Sequence, residues 1–310
     1  MLSEFLRQGR FDRYFICDIR PLEGDYPDKV RYVELDVRKP IELDPGNVDP
    51  KGSWIFNLAA IHREPGHAYH EYFDTNLPGA EHVNAFAERT GIGNLLFTSS
   101  IAPYGRSLEP RTERSPLYPE TAYGISKALA EQIHRRWLEA SSSRRLIIVR
   151  PSVIFGPKDP GNVYRMVKAL KKGRFVLPDG GRIVKAYGYV YGLVESMLFT
   201  MAKPDRLIVY NYAENPLLTL REMTLVVKEK FGYTRPVISL PTWFLAVLAR
   251  VLQGVAALTG KKSDIHPTRV RKAGFPTHIV PTYLIEAEFP FRYEFRQALD
   301  HWESVSPGDF

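Results

Sequence analysis

Short apolar runs alternating with amphipathic stretches dominate the first half of the chain, and they leave few folds open. The segments 14–19 (YFICDI), 30–35 (VRYVEL), 53–58 (SWIFNL), 94–98 (NLLFT) and 146–150 (LIIVR) have the length and residue types of strands. Between them, 79–89 and 123–140 show helical periodicity. Such alternation builds βαβ units, so the expected class is α/β, a doubly wound parallel sheet covered by helices on both faces. After Pro151 glycine and proline become frequent, and short strands and helices mix irregularly. The expected division is 1–160 for the sheet-building domain and 161–310 for a smaller region, with some of its segments returning to the sheet.

Lys and Arg number 42 against 35 Asp and Glu, a formal charge of +7. The cations are scattered, without a long basic run or a recognition-helix, zinc or RNP pattern, which argues against nucleic acid and leaves a membrane surface or an anionic small substrate. The single cysteine, Cys17, excludes an intrachain disulfide and suits a reducing cytoplasm. Residues 1–15 have no sustained apolar stretch, so no signal peptide is expected. The segment 243–258 (WFLAVLARVLQGVAAL) is apolar but too short for a membrane span. It is expected as a buried or partner-covered helix, with an interfacial helix as the alternative.

The most informative local pattern is Tyr123-x-x-x-Lys127 on a helix, where a spacing of four puts both side chains on one face. An ammonium near a phenol favours the phenolate, so the hydroxyl can exchange protons near neutral pH. An exposed helix pair would give the same spacing. Upstream, strand 94–98 runs into Ser99 and Ser100, at the strand end where ligands of open α/β sheets bind. Ser100 can hydrogen-bond a carbonyl or hydroxyl there; for Ser99, capping the strand end is as good a reading. No histidine pair has metal-ligand spacing, so no metal is expected; His62 stands near the expected ligand, and the other histidines read as surface residues.

Asp18 after YFICDI, Asp36-Val37, Asn57-Leu58-Ala59-Ala60, Asn76, 98–105 (TSSIAPYG), Tyr123-x-x-x-Lys127 and 150–157 (RPSVIFGP) follow one another in an order and spacing that resembles the extended short-chain dehydrogenase/reductases. Within these it resembles the NAD-dependent nucleotide-sugar epimerase/dehydratase group, over roughly residues 1–290. The resemblance implies a Rossmann-like, NAD-binding first domain and a mainly substrate-binding second region. It implies Tyr123 as catalytic base or acid, Lys127 as the group that lowers its pKa and holds the nicotinamide ribose, and Ser100 as the residue that orients the sugar hydroxyl. Asp18 would accept from the adenosine ribose 2′-hydroxyl, favouring NAD over NADP, with Arg20 as the contrary sign. Asp36 and Val37 would flank the adenine, and Leu58, Ala59 and Ala60 would let the cofactor backbone approach. Asn76 belongs to the same cofactor set, and Pro151 would pack near the nicotinamide amide. Lys185 stands where relatives place a diphosphate-binding arginine, and Arg269 or Arg271 could supply a second contact. Similar proteins pair through the helices at 79–89 and 123–140, so a homodimer is expected.

Three departures shape the expectations. The chain opens MLSEFLRQGRFDRYFICD, with Leu2, Phe5 and Leu6 at helical spacing and Gly9 ending that helix before the Asp18 strand. It therefore reads as beginning inside the first helix of such a fold. The first strand and its glycine-rich phosphate turn are not visible, two strand edges should be left exposed, and NAD binding should be weak. The expectation is a protein that starts upstream; a degenerate, non-binding relative is the alternative. Second, Ile101-Ala102 replaces the Asp-Glu pair of the dehydratases, which argues against water elimination. Third, Tyr191-Gly192 and Val153 stand where many relatives carry acidic residues and an asparagine. The implied activity is a 4-epimerase working through a transient keto sugar, in a surface-polysaccharide setting. A 4-ketoreductase, a membrane-associated steroid or sterol dehydrogenase and a non-catalytic relative remain open.

Overall fold

The computed structural model describes residues 1–64, 66–258 and 275–310, with backbone alone over 252–258. Helix α1 (Leu2–Arg7) leads through Gly9, at φ 59°, into β1 (Tyr14–Asp18), which pairs in parallel with β2 (Val30–Glu34). Strands β3 (Trp54–Asn57), β4 (Asn94–Thr98), β5 (Arg145–Pro151) and β10 (Leu207–Tyr212) form a second parallel sheet in the order β10-β5-β4-β3. Successive side chains of a strand point to opposite faces. Leu95, Phe97, Leu146 and Ile148 accordingly pack under Ala80, Val83 and Ala87 of α2 (Tyr69–Thr90) and Ala130, Trp137 and Leu138 of α3 (Ala122–Glu139). Leu96, Ile147, Val149 and Ile208 face the other way, against Leu193, Val194, Met197 and Met201 of α5 (Val190–Met201). The α/β class with a parallel sheet covered on both faces is therefore the observed one.

A separate core lies beyond the sheet. Val163, Val167 and Leu170 of α4 (Asn162–Lys171), Met223 and Val227 of α6 (Leu220–Phe231), and Leu299 and Trp302 of the C-terminal helix (Phe295–Val305) enclose Phe155 and Tyr189. Residues 207–212 return from this region to the sheet as β10.

β1 and β3 each keep one edge without a partner strand among the described residues. Aromatic rings occupy the ground between them: Phe5 lies 5.2 Å from Phe56, and Phe11 lies 5.8 Å from Tyr14 and 6.5 Å from Phe56, centroid to centroid. Tyr14 Oη also donates to Phe5 O (3.0 Å).

Three expectations need correction. The helix expected at 79–89 starts at Tyr69 and carries Pro78 inside it, so Pro78-Gly79 is not a helix start. Gly79 is there for contact: a Cβ would stand 3.1 Å from Val37 Cγ2. His134, expected on the surface, is fully buried. The segment expected as a buried or partner-covered helix at 243–258 is helical, as α7 (Thr242–Leu258), and turns Trp243, Phe244, Val247, Leu248 and Val251 outward, which overturns burial within this chain and leaves the partner-covered reading untouched. No helix among the described residues is long and apolar enough to cross a membrane.

Candidate active site

Beyond β4 the chain stays zipped to its neighbour, since Ser99 N donates to Val149 O (2.7 Å) and Ile101 N to Pro151 O (3.2 Å). This fixes Ser100 at the carboxyl end of the sheet, where its Oγ also accepts from Ala102 N (3.1 Å). A 3-10 turn at Ala102–Tyr104 follows. Helix α3 begins at Thr121, whose Oγ1 caps it by accepting from Gly124 N (3.1 Å). Its first turn touches the 3-10 turn so closely that a Cβ on Gly124 would lie 2.7 Å from Ala102 O. Glycine directly after Tyr123 thus lets helix and turn meet, and the phenol hydrogen-bonds the Ser100 side chain.

Burial pushes the Tyr123 phenol above its ordinary pKa, against the opposing hydrogen bond with Ser100. The expectation that Lys127 would draw it down is not what this geometry gives. Lys127, fully buried one turn along, rests its Nζ 4.2 Å from the centroid of the Phe97 ring. Burial lowers the lysine to about 7, with the charge of Glu131 acting the other way. Lys127 is therefore poised to exchange a proton near neutrality.

Behind this pair lies a buried polar network. Glu131, one further turn along α3, accepts from Ser99 Oγ (2.5 Å) and from Arg150 Nε and Nη2 (2.9 and 2.6 Å). Arg150 Nη1 donates to Tyr104 Oη (2.8 Å), which donates to Asn211 Oδ1 (2.8 Å). Ser99 is thus structural, and the network ties α3, β4, β5, β10 and the 3-10 turn together. One turn beyond Glu131, burial and the nearby Lys127 charge drop His134 to about 3, so its ring is neutral. It donates from Nδ1 to Asn84 Oδ1 (2.7 Å) and accepts at Nε2 from Asn57 Nδ2 (3.0 Å), the tautomer this pairing requires. Glu131 and His134 escaped the sequence reading, although the i, i+4 and i, i+7 spacings from Lys127 already put them on its face of α3.

The residues expected at a dinucleotide divide into three groups. Asp18 is exposed at the end of β1, with Oδ1 accepting from Arg20 N (2.9 Å), and Leu58 and Ala59 are exposed past the end of β3 with Ala60 half-buried. Pro151 is half-buried at the end of β5, beside Ser100. Asp36 lines an open cleft with Arg31, Val33 and Leu35, but Arg38 engages its carboxylate at 2.6–2.9 Å and holds its pKa down. Val37 O accepts from His82 Nδ1 (2.8 Å). Asn76 is buried, accepts from Ile61 N (3.0 Å) and donates to Ser126 Oγ (2.8 Å), fastening the turn after β3 to α3. The carboxylate end of β1, the small residues after β3 and the Tyr123–Lys127 pair fit the ribose and nicotinamide ends of such a cofactor. The described residues offer no glycine-rich turn for its pyrophosphate.

On the substrate side, Arg269 and Arg271 lie outside the described residues. Lys185, in β8 (Val184–Lys185), is buried and donates from Nζ to Phe275 O; burial lowers it to about 8. It shares a small cavity with Tyr187 and Glu214, whose carboxyl burial raises to about 8 while Tyr189 N (2.6 Å) and Tyr212 Oη (3.2 Å) donate to it. Glu214 is another residue the sequence did not single out. Tyr191 stacks on Tyr189 at 5.5 Å, and a Cβ on Gly192 would stand 2.1 Å from Tyr212 Oη. An acidic side chain has no room at Gly192 while Tyr212 fills that space. Gly192→Ala should accordingly cost about 1–3 kcal/mol of stability in urea unfolding, with part of the loss recovered by adding Tyr212→Phe.

Comparison with known proteins agrees with this geometry. The profile of the family described as NAD dependent epimerase/dehydratase matches residues 19–213. N-acetyl-alpha-D-glucosaminyl-diphospho-ditrans,octacis-undecaprenol 4-epimerase of Escherichia coli O157:H7 is 32% identical over 245 residues, covering 78% of this chain and 74% of the relative. Among solved structures, UDP-glucose 4-epimerase of Thermotoga maritima with UDP-glucose superposes with a TM-score of 0.69 at 16% identity, covering 98% of this chain and 93% of that one. The Bordetella bronchiseptica enzyme WbmG in complex with NAD and UDP gives 0.68 at 18% identity, covering 98% and 90%.

Proposed function

The chain belongs to the NAD dependent epimerase/dehydratase family of enzymes, and on that premise we propose that it inverts the C4 hydroxyl of a sugar carried on a diphosphate. The observation that carries this reading is the Tyr123–Ser100 hydrogen bond at the sheet's carboxyl end, with a buried lysine one helical turn along. Bound NAD supplies the hydride acceptor and, in the return step, the donor.

The rest falls to this chain's residues. Ser100 Oγ holds the C4 hydroxyl while Tyr123 Oη removes its proton. Lys127, one helical turn along and titrating near 7, is placed on the same helix face to exchange that proton with the phenol. The 4-keto sugar then presents its other face, and Tyr123 returns a proton to the new hydroxyl. Ile101-Ala102 carry no acid or base for eliminating water, which supports epimerisation over dehydration. Residues 1–160 would hold the cofactor and 161–310 mainly the sugar and diphosphate, with Lys185 and the arginines at 269 and 271 as anion partners. A homodimer through α2 and α3 is part of the same reading. The carrier is a diphosphate in two of the proteins the chain resembles: the E. coli relative is named for an undecaprenol diphosphate, and the Thermotoga structure holds UDP-glucose.

The test is chromatographic. With NAD present, a diphospho-linked N-acetylhexosamine should come to a mixture of its two C4 epimers without net NADH production. Stoichiometric NADH, or loss of the sugar to a 4-keto-6-deoxy product, would replace epimerase by reductase or dehydratase.

A further inference from the structure

Helix α7 is an outlier in this molecule. A stripe of apolar side chains about 100° wide or more ordinarily faces a core. In α7, Trp243, Phe244, Val247, Leu248 and Val251 fall within an arc of about 140° at 100° per residue, and all are exposed. Trp243 is 69% exposed and Val251 57%. Ala249, on the opposite side, is buried, so the helix is seated and its large side chains point away from the seat. The preceding strand β12 (Ile238–Leu240), paired with β7 (Val176–Pro178), adds Ile238 at 62% exposure.

The charged side chains flanking this face are mainly cationic. No acidic residue occurs between Gly232 and Val251, a stretch that contains the exposed Arg235 and Arg250. Exposed Arg235 and Lys172 meet at one end of the β7–β12 pair, where the Arg235 guanidinium donates to Lys172 O (3.0 Å). At the other end, Arg182 is exposed beside Asp179. That carboxylate is occupied in capping α7, accepting from Thr242 N (3.0 Å) and Oγ1 (2.5 Å). An apolar stripe on a helix rimmed by cations and too short to span matches the chemistry of an anionic lipid surface.

We propose that α7 lies in the headgroup layer of an anionic bilayer and that the substrate's diphosphate is attached to a membrane-embedded polyprenyl chain. The carrier part rests on the diphospho-sugar reading above; the docking part does not. A helix held by its Asp179 cap and its buried Ala249 side would bring the protein to the one place where a lipid-linked sugar can be reached.

The full chain should float with vesicles of 3:1 phosphatidylethanolamine and phosphatidylglycerol, and should bind phosphatidylcholine vesicles much less. Val247→Glu/Val251→Glu, in the middle of the stripe, should reduce flotation about tenfold or more. Both positions are exposed and glutamate is the better helix former, so the circular dichroism and the epimerisation of a water-soluble nucleotide sugar should be unchanged. Turnover of a polyprenyl-diphospho sugar in those vesicles should exceed that of the nucleotide sugar and should fall with the same substitutions. No flotation, or equal flotation of the variant, overturns the docking. A dimer that the same substitutions dissociate overturns it too, by assigning the face to a second copy. Flotation without epimerisation of any diphospho sugar leaves the docking standing and removes the epimerase reading instead.

Discussion

Tyr123→Phe should lower kcat roughly 10²- to 10⁴-fold, the range that a positioned acid–base group contributes. The substitution keeps the ring, which lies 6.2 Å from that of Tyr72, and removes the hydroxyl that hydrogen-bonds Ser100. The unfolding midpoint should therefore barely move, and KM should change much less than kcat. Ser100→Ala should give a smaller loss, because it removes an orienting group rather than the proton carrier. A Tyr123→Phe enzyme with near-parental kcat would take the phenol out of the chemistry altogether.

That prediction rests on residues that could be read from the sequence, because they lie in one local unit. Ser100 follows a strand, Tyr123 and Lys127 share a helix, and Gly124 marks the close approach. The parallel sheet was legible for a similar reason: each strand is a short run rich in apolar residues, and β3 to β5 fall within a residue or two of their expected bounds. What was not legible depends on contacts between distant segments. Asn76 reads as a polar residue near a ligand, but its partners are Ile61 and Ser126, 15 and 50 residues away. Gly79 reads as the start of a helix until Val37 is seen against it. The outward stripe of α7 has the same hydrophobic pattern as a buried helix, and only the exposure of its side chains in the folded chain tells them apart.

The Glu131–Arg150 pair belongs to this second kind, and its removal should be the most damaging single change to stability. Glu131→Ala should cost about 3–5 kcal/mol in urea unfolding, because it leaves the Arg150 guanidinium buried without its carboxylate and Ser99 Oγ without its acceptor. Burial acts to lower Arg150, but the hydrogen bonds and charge of Glu131 outweigh it and hold the guanidinium above its usual range. The loss should also depend on pH, through Lys127. In the parent, Lys127 has a folded pKa of about 7, below the ordinary lysine value of 10.5. Between those values the unfolded chain carries more protons, so Lys127's contribution makes stability rise with pH across that window. Glu131 is the charge that keeps Lys127 from falling lower. Without it the folded pKa drops further and the window extends below 7, so the penalty of Glu131→Ala should be larger at pH 6 than at pH 8. Glu131→Gln should retain part of the hydrogen bonding to Ser99 and Arg150 while showing the same pH trend, since it too lacks the charge. An equal penalty at both pH values would mean that Glu131 and Lys127 do not sense each other, and that the buried network supports the fold without tuning the lysine beside Tyr123.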